Sequence, residues 1–336
     1  MSEPILLQRH QINDTAWNAL VDEARHSVVY AYTWYLDCVS PLWQALVVVD
    51  SALTSGIQGT PSTEYRMVMP LPVRKKWGLG VVQQPLFCQY LGLFSKEEIS
   101  ETDLTRFLHS LSQHFSYISV YDFHPAQTYL LRKVLPGFSD FEVQEKATHW
   151  LNLARPYPEL AESYSTDRKK NLKKSRKYDW ECVESEDPEP LIALFQENHA
   201  AHIENVQASA YVLVRELTYL LQTKNIATIY YARRQGTLHA GIMIFEKADM
   251  GTYIFNAADE VGRRGNGRSF LLDRYFQQQA GRMKVFDFES PEVASIAQFY
   301  QSFGAGNQRF ISIKKNKLPF PFRQLQNWRK NWFTAN

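Results

Sequence analysis

Val120-Tyr121-Asp122-Phe123 and Val285-Phe286-Asp287-Phe288 are nearly the same four residues, and they stand 165 positions apart, from residue 120 to residue 285. With that offset, Tyr117–Asp140 can be laid on Arg282–Ala305 without a gap, from an apolar strand into the helix after it. An amphipathic helical pattern precedes each copy. An offset that is kept through successive elements is typical of internal duplication, so the sequence predicts two related halves.

The length of the chain agrees with two domains. It has 336 residues, and a domain has about 150. Strand and helix patterns alternate in both halves, which is typical of α/β proteins. We predict an N-terminal domain at 1–155, a C-terminal domain at 156–325 and an aromatic, basic tail at 326–336, whose Trp328–Phe333 stretch we expect to form a docking helix.

The charge of the chain is balanced except in one segment. The formal net charge is +2, yet seven of the ten residues from Arg168 to Lys177 are basic. This pattern excludes a nucleic-acid binder coated with positive charge and allows one local anion contact. The chain starts without a signal-like segment, and no apolar run approaches the roughly 20 residues that span a bilayer. We therefore expect a cytoplasmic protein without a membrane span.

Several kinds of chemistry lack their sequence motif. The three cysteines have no CxxC spacing and no HExxH occurs, so no metal site is predicted. The sequence also lacks GxxxxGK[ST], a GxGxxG after a first strand, and GxSxG. Nucleoside triphosphate hydrolysis, nicotinamide chemistry and serine hydrolysis are therefore disfavoured.

The segment Gly262-Arg263-Arg264-Gly265-Asn266-Gly267-Arg268 lies between a predicted strand and a predicted helix. Glycine lets the backbone turn sharply and present amide groups to an anion, and the N-terminus of a helix favours negative charge. The three arginines add fixed positive charge that suits phosphate. We predict that this segment binds a phosphorylated donor. An ordinary solvated turn is the alternative.

The rest of this half carries a family resemblance. A strand, the glycine segment, a helix, a strand and a helix ending in Ala297-Gln298-Phe299-Tyr300-Gln301-Ser302-Phe303-Gly304 resemble the acyl-CoA half of the GNAT N-acyltransferase fold. The motifs Asp167–Ser175, Phe255–Ala258 and Phe286–Ser290 resemble the FemAB-like branch, in which tandem GNAT-like domains transfer aminoacyl or acyl groups to amines. The resemblance runs from about Leu46 to Ile313. It departs from the usual pattern at Gly262, where GNAT proteins have Gln or Arg.

This resemblance implies an α/β (α+β) fold of two GNAT-like domains, each a mixed, mainly antiparallel sheet flanked by helices. It implies acetyl-CoA or another acyl-CoA as co-substrate, or aminoacyl-tRNA in a FemAB-like enzyme. Tyr300 matches the GNAT position whose hydroxyl can protonate a leaving thiolate.

Three further side chains are candidates for the site. Asp287 and Glu289 alternate with phenylalanines at the end of a strand, so both carboxylates are predicted on one face, where they could orient or deprotonate an amine. They could equally cap a helix or pair with a nearby cation. Asn256, on the preceding strand, could bind an acyl carbonyl or could form a turn.

The duplication makes the two halves unequal. The acidic stretch Glu97–Asp103 aligns with Gly262–Arg268, and Leu135 aligns with Tyr300. A phosphorylated donor is therefore expected only in the second half, and we expect the first half to be degenerate and to shape the acceptor cleft.

Three functions follow as hypotheses. The first is an N-acyltransferase that uses a CoA thioester and a small-molecule or peptide amine. The second is an aminoacyl transferase whose basic segment, Arg168–Lys177, contacts tRNA phosphates, although solvated charge also explains that segment. The third is a catalytically silent tandem domain that binds a ligand or a partner protein.

Overall fold

The protein is described by a computed structural model that covers residues 3–49, 64–76, 78–198, 208–290, 293–318 and 320. It forms two compact units, Met1–Lys146 with Arg309–Asn336 and Ala147–Gln308. The bounds differ from the predicted 1–155 and 156–325, because the end of the last strand pairs with a strand of the first unit, Ile313 opposite Tyr121. The predicted tail at 326–336, with its docking helix, lies outside the described residues.

The first unit begins with a strand and two helices and then alternates between strands and helices. Its elements are β1 (Ile5–Gln8), α1 (Asp14–Glu23), α2 (Thr33–Val39), β2 (Gln44–Val49), β3 (Tyr65–Leu71), β4 (Val73–Lys76), β5 (Leu79–Gln83), β6 (Phe94–Ser95), α3 (Glu101–His114), β7 (Tyr117–Asp122), α4 (Thr128–Val134) and β8 (Glu142–Asn152). The last of these strands continues into the second unit.

The second unit starts with helices and then builds an antiparallel meander. Its elements are α5 (Tyr157–Glu162), α6 (Thr166–Ser175), β9 (Glu181–Ser185), α7 (Glu189–Asn198), α8 (Ala208–Gln222), β10 (Ala227–Arg234), β11 (Thr237–Lys247), β12 (Met250–Ala258), α9 (Glu260–Arg264), α10 (Gly267–Gln279), β13 (Val285–Asp287), α11 (Ala294–Gln301) and β14 (Gly306–Asn316), whose end belongs to the first unit.

Each unit contains a mixed, mainly antiparallel sheet. In the first unit β4, β5, β7 and β14 are neighbours in that order, and β5 and β7 are the parallel pair. A second sheet of this unit, β1-β2-β3-β6, is antiparallel. In the second unit the order is β8-β13-β12-β11-β10-β9, and β12 and β13 are the parallel pair. The predicted fold class is therefore correct.

The duplicated segments occupy corresponding places. In the first unit the order is α3, β7, α4, and in the second it is α10, β13, α11. In α10 four large side chains at helical spacing are buried against the sheet, namely Leu271, Leu272, Tyr275 and Phe276. Among the described helices, none is both long and apolar enough to cross a bilayer.

Aromatic rings form the core beneath the end of β13. The rings of Phe276 and Phe286 lie 5.0 Å apart, those of Phe286 and Phe288 also 5.0 Å, and those of Phe276 and Phe303 5.6 Å, all edge to face. Each such pair stabilises the folded protein by about 0.5–1.5 kcal/mol beyond the contribution from the buried area of its rings. This cluster supports α11, which follows β13.

Candidate functional site

The parallel strands β12 and β13 separate after three residue pairs. Met250, Gly251 and Thr252 lie opposite Val285, Phe286 and Asp287, and there the pairing ends. β12 continues along β11 to Ala258 with a register shift beside Tyr253, because Ile244 faces Tyr253 and Met243 faces Phe255. Such a bulge bends the strand and redirects its side chains. The result is an open space on the β13 side of β12.

A cavity of about 290 Å³ occupies this space. Three of the predicted site residues, Asn256, Arg268 and Tyr300, line it together with Tyr253, Ser295, Ile296 and Phe299. Nη1 of Arg268 donates a hydrogen bond to Oδ1 of Asn256 over 2.7 Å. This bond fixes the guanidinium at the wall of the cavity and leaves the amide nitrogen of Asn256 as a donor.

Tyr300 enters the cavity from α11. Its ring stacks on that of Phe288 at 4.4 Å and stands perpendicular to that of Tyr253 at 6.1 Å. Burial raises the pKa of Tyr300, the charge of Arg268 opposes this rise, and the carboxylates of Glu289 and Asp287 add to it. The hydroxyl is therefore protonated at neutral pH and is a proton donor.

Tyr253 also lines the cavity, although no sequence pattern indicates it. It is 3% exposed, and its hydroxyl has no hydrogen-bond partner among the described residues. Burial raises the pKa of Tyr253 as well. In the sequence, a tyrosine in a strand of alternating apolar residues is indistinguishable from a core residue, and only the separation of β12 from β13 distinguishes it.

The two carboxylates do not share a strand face as predicted. β13 ends at Asp287, and Glu289 has a φ of 46°, so the alternation does not continue past the strand. Asp287 is fully buried, and it accepts hydrogen bonds from Oγ1 of Thr148 at 2.7 Å and from the amide of Glu289 at 2.9 Å. It thus stabilises the turn after β13, while Glu289 is half-buried.

A chain of polar side chains, buried except at its last member, continues from this turn to α11. The amide of Ser290 donates to Oγ1 of Thr148 at 3.3 Å, and its hydroxyl lies 2.8 Å from Nδ1 of His149. The other ring nitrogen of His149 lies 3.1 Å from Nε2 of Gln301, the residue after Tyr300. The chain ties the end of α11 to β8.

The glycine segment is folded more tightly than a loop. Residues 260–264 form the short helix α9, which Asp259 caps. Four amides of the segment already donate local hydrogen bonds: Gly262 to Oδ1 of Asp259 at 2.7 Å, Arg263 to the carbonyl of Asp259 at 2.9 Å, Gly265 to the carbonyl of Val261 at 2.8 Å, and Asn266 to the carbonyl of Arg263 at 3.2 Å. These amides do not form the open anion cradle that the sequence suggested.

The glycines of this segment are required by packing. A Cβ on Gly262 would lie closer than 3.0 Å to the carbonyl oxygen of His239, and a Cβ on Gly265 would lie closer than 3.0 Å to the ring of Trp180. Nε1 of Trp180 also donates to the carbonyl of Gly265 at 2.9 Å. A Cβ on Gly267 would lie 3.0 Å from the Cβ of Ala240, which is a tight contact but a wider one than at the other two glycines.

The three arginines of the segment have different surroundings. Arg263 donates to the carbonyl of Ala258 at 2.7 Å, and Arg264 forms an exposed ion pair with Glu260. Arg268 alone of the three lines the cavity. It lies in the first turn of α10, whose amides receive no capping bond from the side chain of the preceding Asn266.

The basic segment divides into one buried and six exposed cations. Arg168 is 4% exposed; its Nε donates to Oγ of Ser302 at 3.0 Å, and its Nη1 donates to Oγ of Ser269. Its guanidinium lies over the rings of Phe299 and Phe303 at 4.4 and 4.1 Å. Burial lowers the pKa of Arg168 to about 10, so it stays charged at neutral pH. The exposed members are Lys169, Lys170, Lys173, Lys174, Arg176 and Lys177.

The first unit differs at the aligned positions. Asp103 stands where Arg268 stands in the second unit, and it forms a capping box with Ser100 at the start of α3. Leu135 stands in place of Tyr300 and is buried. The described residues also contain no group of three or more His, Cys, Asp or Glu side chains that could hold a metal ion.

The chain is similar to known proteins in structure and not in sequence. No model of a protein family matches the sequence, and no curated protein matches it. The chain is similar to the crystal structure of FemX, with a TM-score of 0.66 and 11% identity over 94% of this chain and 98% of that one. It is similar to a conserved protein of unknown function from Bacteroides thetaiotaomicron, with a TM-score of 0.57 and 9% identity over 90% and 98% of the two chains. It is also similar to a tandem GNAT protein from the clavulanic acid biosynthesis pathway, with a TM-score of 0.54 and 11% identity over 94% and 99%.

These likenesses show the fold. The chain has a FemAB-like tandem GNAT fold, which consists of two GNAT-like domains.

Proposed function

We propose that the protein is an N-acyltransferase, which moves an acyl group from an activated thioester or ester to an amine in the cavity of the second unit. The observation that carries the proposal is the convergence of Tyr300, Arg268 and Asn256 where β12 and β13 separate. A proton donor beside a fixed cation and an amide suits acyl transfer, in which charge develops on the carbonyl and on the leaving group.

The proposed reaction is a direct attack. The amine nitrogen forms a bond to the acyl carbon, and the bond from that carbon to the leaving sulfur or oxygen breaks. Tyr300 gives its hydroxyl proton to the leaving atom, and Glu289 takes a proton from the amine and returns one to the phenolate through solvent. Arg268 and Asn256 orient the acyl donor. Asp287 positions the turn that carries Glu289, since it accepts the amide of that residue.

A CoA-type thioester is the first candidate donor. The amides of residues 262, 263, 265 and 266 are paired, so they do not fit a diphosphate. The first turn of α10 fits better, because its amides point out of the helix and Arg268 adds positive charge beside them. In this proposal the phosphates of acetyl-CoA or another acyl-CoA bind at Gly267–Ser269.

Aminoacyl-tRNA is the second candidate donor. The specific observation in its favour is the row of exposed cations on and after α6. Lys170 approaches Asp167 at 3.7 Å, where both side chains are largely exposed, so this ion pair neutralises little of the row. Contacts with several phosphates of a polynucleotide would use this charge without reading its sequence.

The proposal is tested by measuring amide formation from acetyl-CoA and from aminoacyl-tRNA with a panel of peptide, amino-sugar and polyamine acceptors. We expect Tyr300→Phe to lower kcat by about 10²–10⁴-fold with little change in KM, the usual loss for a general acid. Arg268→Ala should raise KM for the donor by about 10–100-fold, since it removes a charge-assisted hydrogen bond. Arg282→Ala, an exposed arginine of the same unit, is the matched control.

The donor class is settled by two further measurements. Activity that ribonuclease abolishes identifies the tRNA donor, and a rise of Tm with CoA alone identifies the thioester donor. If the wild-type protein transfers from neither donor, and neither CoA nor RNA raises its Tm, the proposal is wrong and a catalytically silent binding domain becomes the favoured hypothesis.

A further inference from the structure

The cavity contains a donor that the proposed reaction has not yet used. Tyr253 lies on β12, at the bulge where the strand leaves β13. Tyr253 lines the cavity, and its buried hydroxyl has no hydrogen-bond partner among the described residues. A buried hydroxyl without a partner costs free energy in the folded protein. A ligand that accepts a hydrogen bond from this hydroxyl would remove that cost.

The neighbours of Tyr253 indicate which partner that is. Asn256 already accepts a hydrogen bond from Arg268, and the ring of Tyr300 packs edge to face against that of Tyr253. A phenol that stays protonated donates, so its partner is an acceptor. In an acyl transfer in this cavity, the acceptor that gains negative charge is the carbonyl oxygen.

We propose that Tyr253 is a catalytic residue that donates its hydroxyl hydrogen bond to the carbonyl oxygen of the acyl group as that oxygen becomes an oxyanion. This inference rests on the proposed function. When the amine bonds to the acyl carbon, the carbonyl π electrons move to the oxygen, which the Tyr253 hydroxyl stabilises without giving up its proton. When the oxyanion collapses, the electrons return and the leaving group departs with the proton of Tyr300. The two tyrosines therefore have separate roles.

The first test needs no substrate. Tyr253→Phe removes a hydroxyl without a partner, so its Tm should equal that of the wild-type protein or exceed it by up to about 4 °C. Tyr164→Phe is the matched control, because the hydroxyl of this buried tyrosine donates to Oδ1 of Asp273 at 3.0 Å. Its Tm should fall. A fall of the same size in Tyr253→Phe would show that its hydroxyl already has a partner, and would overturn the inference.

The second test separates the roles of the two tyrosines. With a natural thioester, we expect Tyr253→Phe to lower kcat by about 10²–10³-fold, the usual loss for one oxyanion donor. With an aryl thioester, whose thiolate leaves without a proton, Tyr300→Phe should recover most of its activity and Tyr253→Phe should not. If the wild-type protein is active and the Tyr253→Phe variant is equally active, this inference is wrong while the proposed function stands. A wild-type protein that is inactive with every donor overturns the proposed function and, with it, this role.

Discussion

Gly262→Ala tests whether the glycine segment exists for packing or for a ligand. Gly262 lies within the helix α9, where alanine is favoured over glycine by about 1 kcal/mol. If the glycine served only to let a phosphate approach, the substitution would stabilise the protein in the absence of ligand. The structure predicts instead that Gly262→Ala destabilises the protein.

The magnitude follows from the neighbour of Gly262. The added Cβ would lie well inside 3.0 Å of the carbonyl oxygen of His239, a backbone atom of β11. Overpacking a core position costs about 1–3 kcal/mol. The same carbonyl accepts the amide of Asp259 at 3.0 Å, so moving it away loses about 0.5–1.5 kcal/mol more. After the helix gain is subtracted, we expect a net loss of about 2 kcal/mol, or about 4–8 °C in Tm for a unit of this size.

The assay is thermal unfolding, followed by circular dichroism, of the protein without ligand. Gly137→Ala is the matched control, because no atom lies within 4 Å of the position its Cβ would take. We expect it to be neutral or stabilising by about 0.4–1 kcal/mol. A Gly262→Ala variant as stable as this control would refute the packing argument.

Three further predictions concern charge. Replacing Lys169 and Lys173 by glutamine should weaken tRNA binding, measured by fluorescence anisotropy. The slope of log K against log salt concentration should become less steep, by up to about 0.9 for each phosphate that the variant no longer neutralises. An unchanged slope would contradict a role for α6. Arg168→Ala should lower the Tm by several degrees because it removes buried hydrogen bonds and ring contacts, and a Tm equal to that of Lys169→Gln would contradict this. Burial, aided by the charge of His26, lowers the pKa of His124 from 6.5 to about 3. Between these two pH values the imidazole is protonated in the unfolded chain and neutral in the folded one. The contribution of His124 to the free energy of unfolding should therefore be fully present above pH 6.5 and should fall as the pH drops towards 3, by up to about 1.4 kcal/mol per pH unit. His124→Asn should flatten the pH profile of unfolding.

The architecture was predictable because duplication leaves a regular mark. The repeat of Val120–Phe123 in Val285–Phe288 indicated the two halves and the corresponding order of helices and strands. The bounds of the units were not predictable. β14, near the end of the chain, pairs with β7 of the first unit, and no local sequence pattern indicates which strand will be its partner.

The site was predictable only in part, for physical reasons. Asn256, Arg268 and Tyr300 come together as the pattern suggested. Tyr253 could not be found, because its significance depends on where β12 and β13 separate. The basic segment contains a buried member, Arg168, which the sequence did not indicate, because the rings that cover it come from α11 and the turn after it, more than a hundred residues away. The glycines looked like a ligand loop because close packing and ligand approach both require the absence of a Cβ.

The return of the last strand to the first unit has a consequence for synthesis on the ribosome. Residues 147–308 form a continuous unit, which can fold as soon as they emerge. The first unit emerges earlier but lacks β14, its partner for β7, until nearly the whole chain has been translated. Until then β7 presents an open edge, the feature of nascent chains that invites mispairing with other strands. The half that is made first is therefore the half that is completed last.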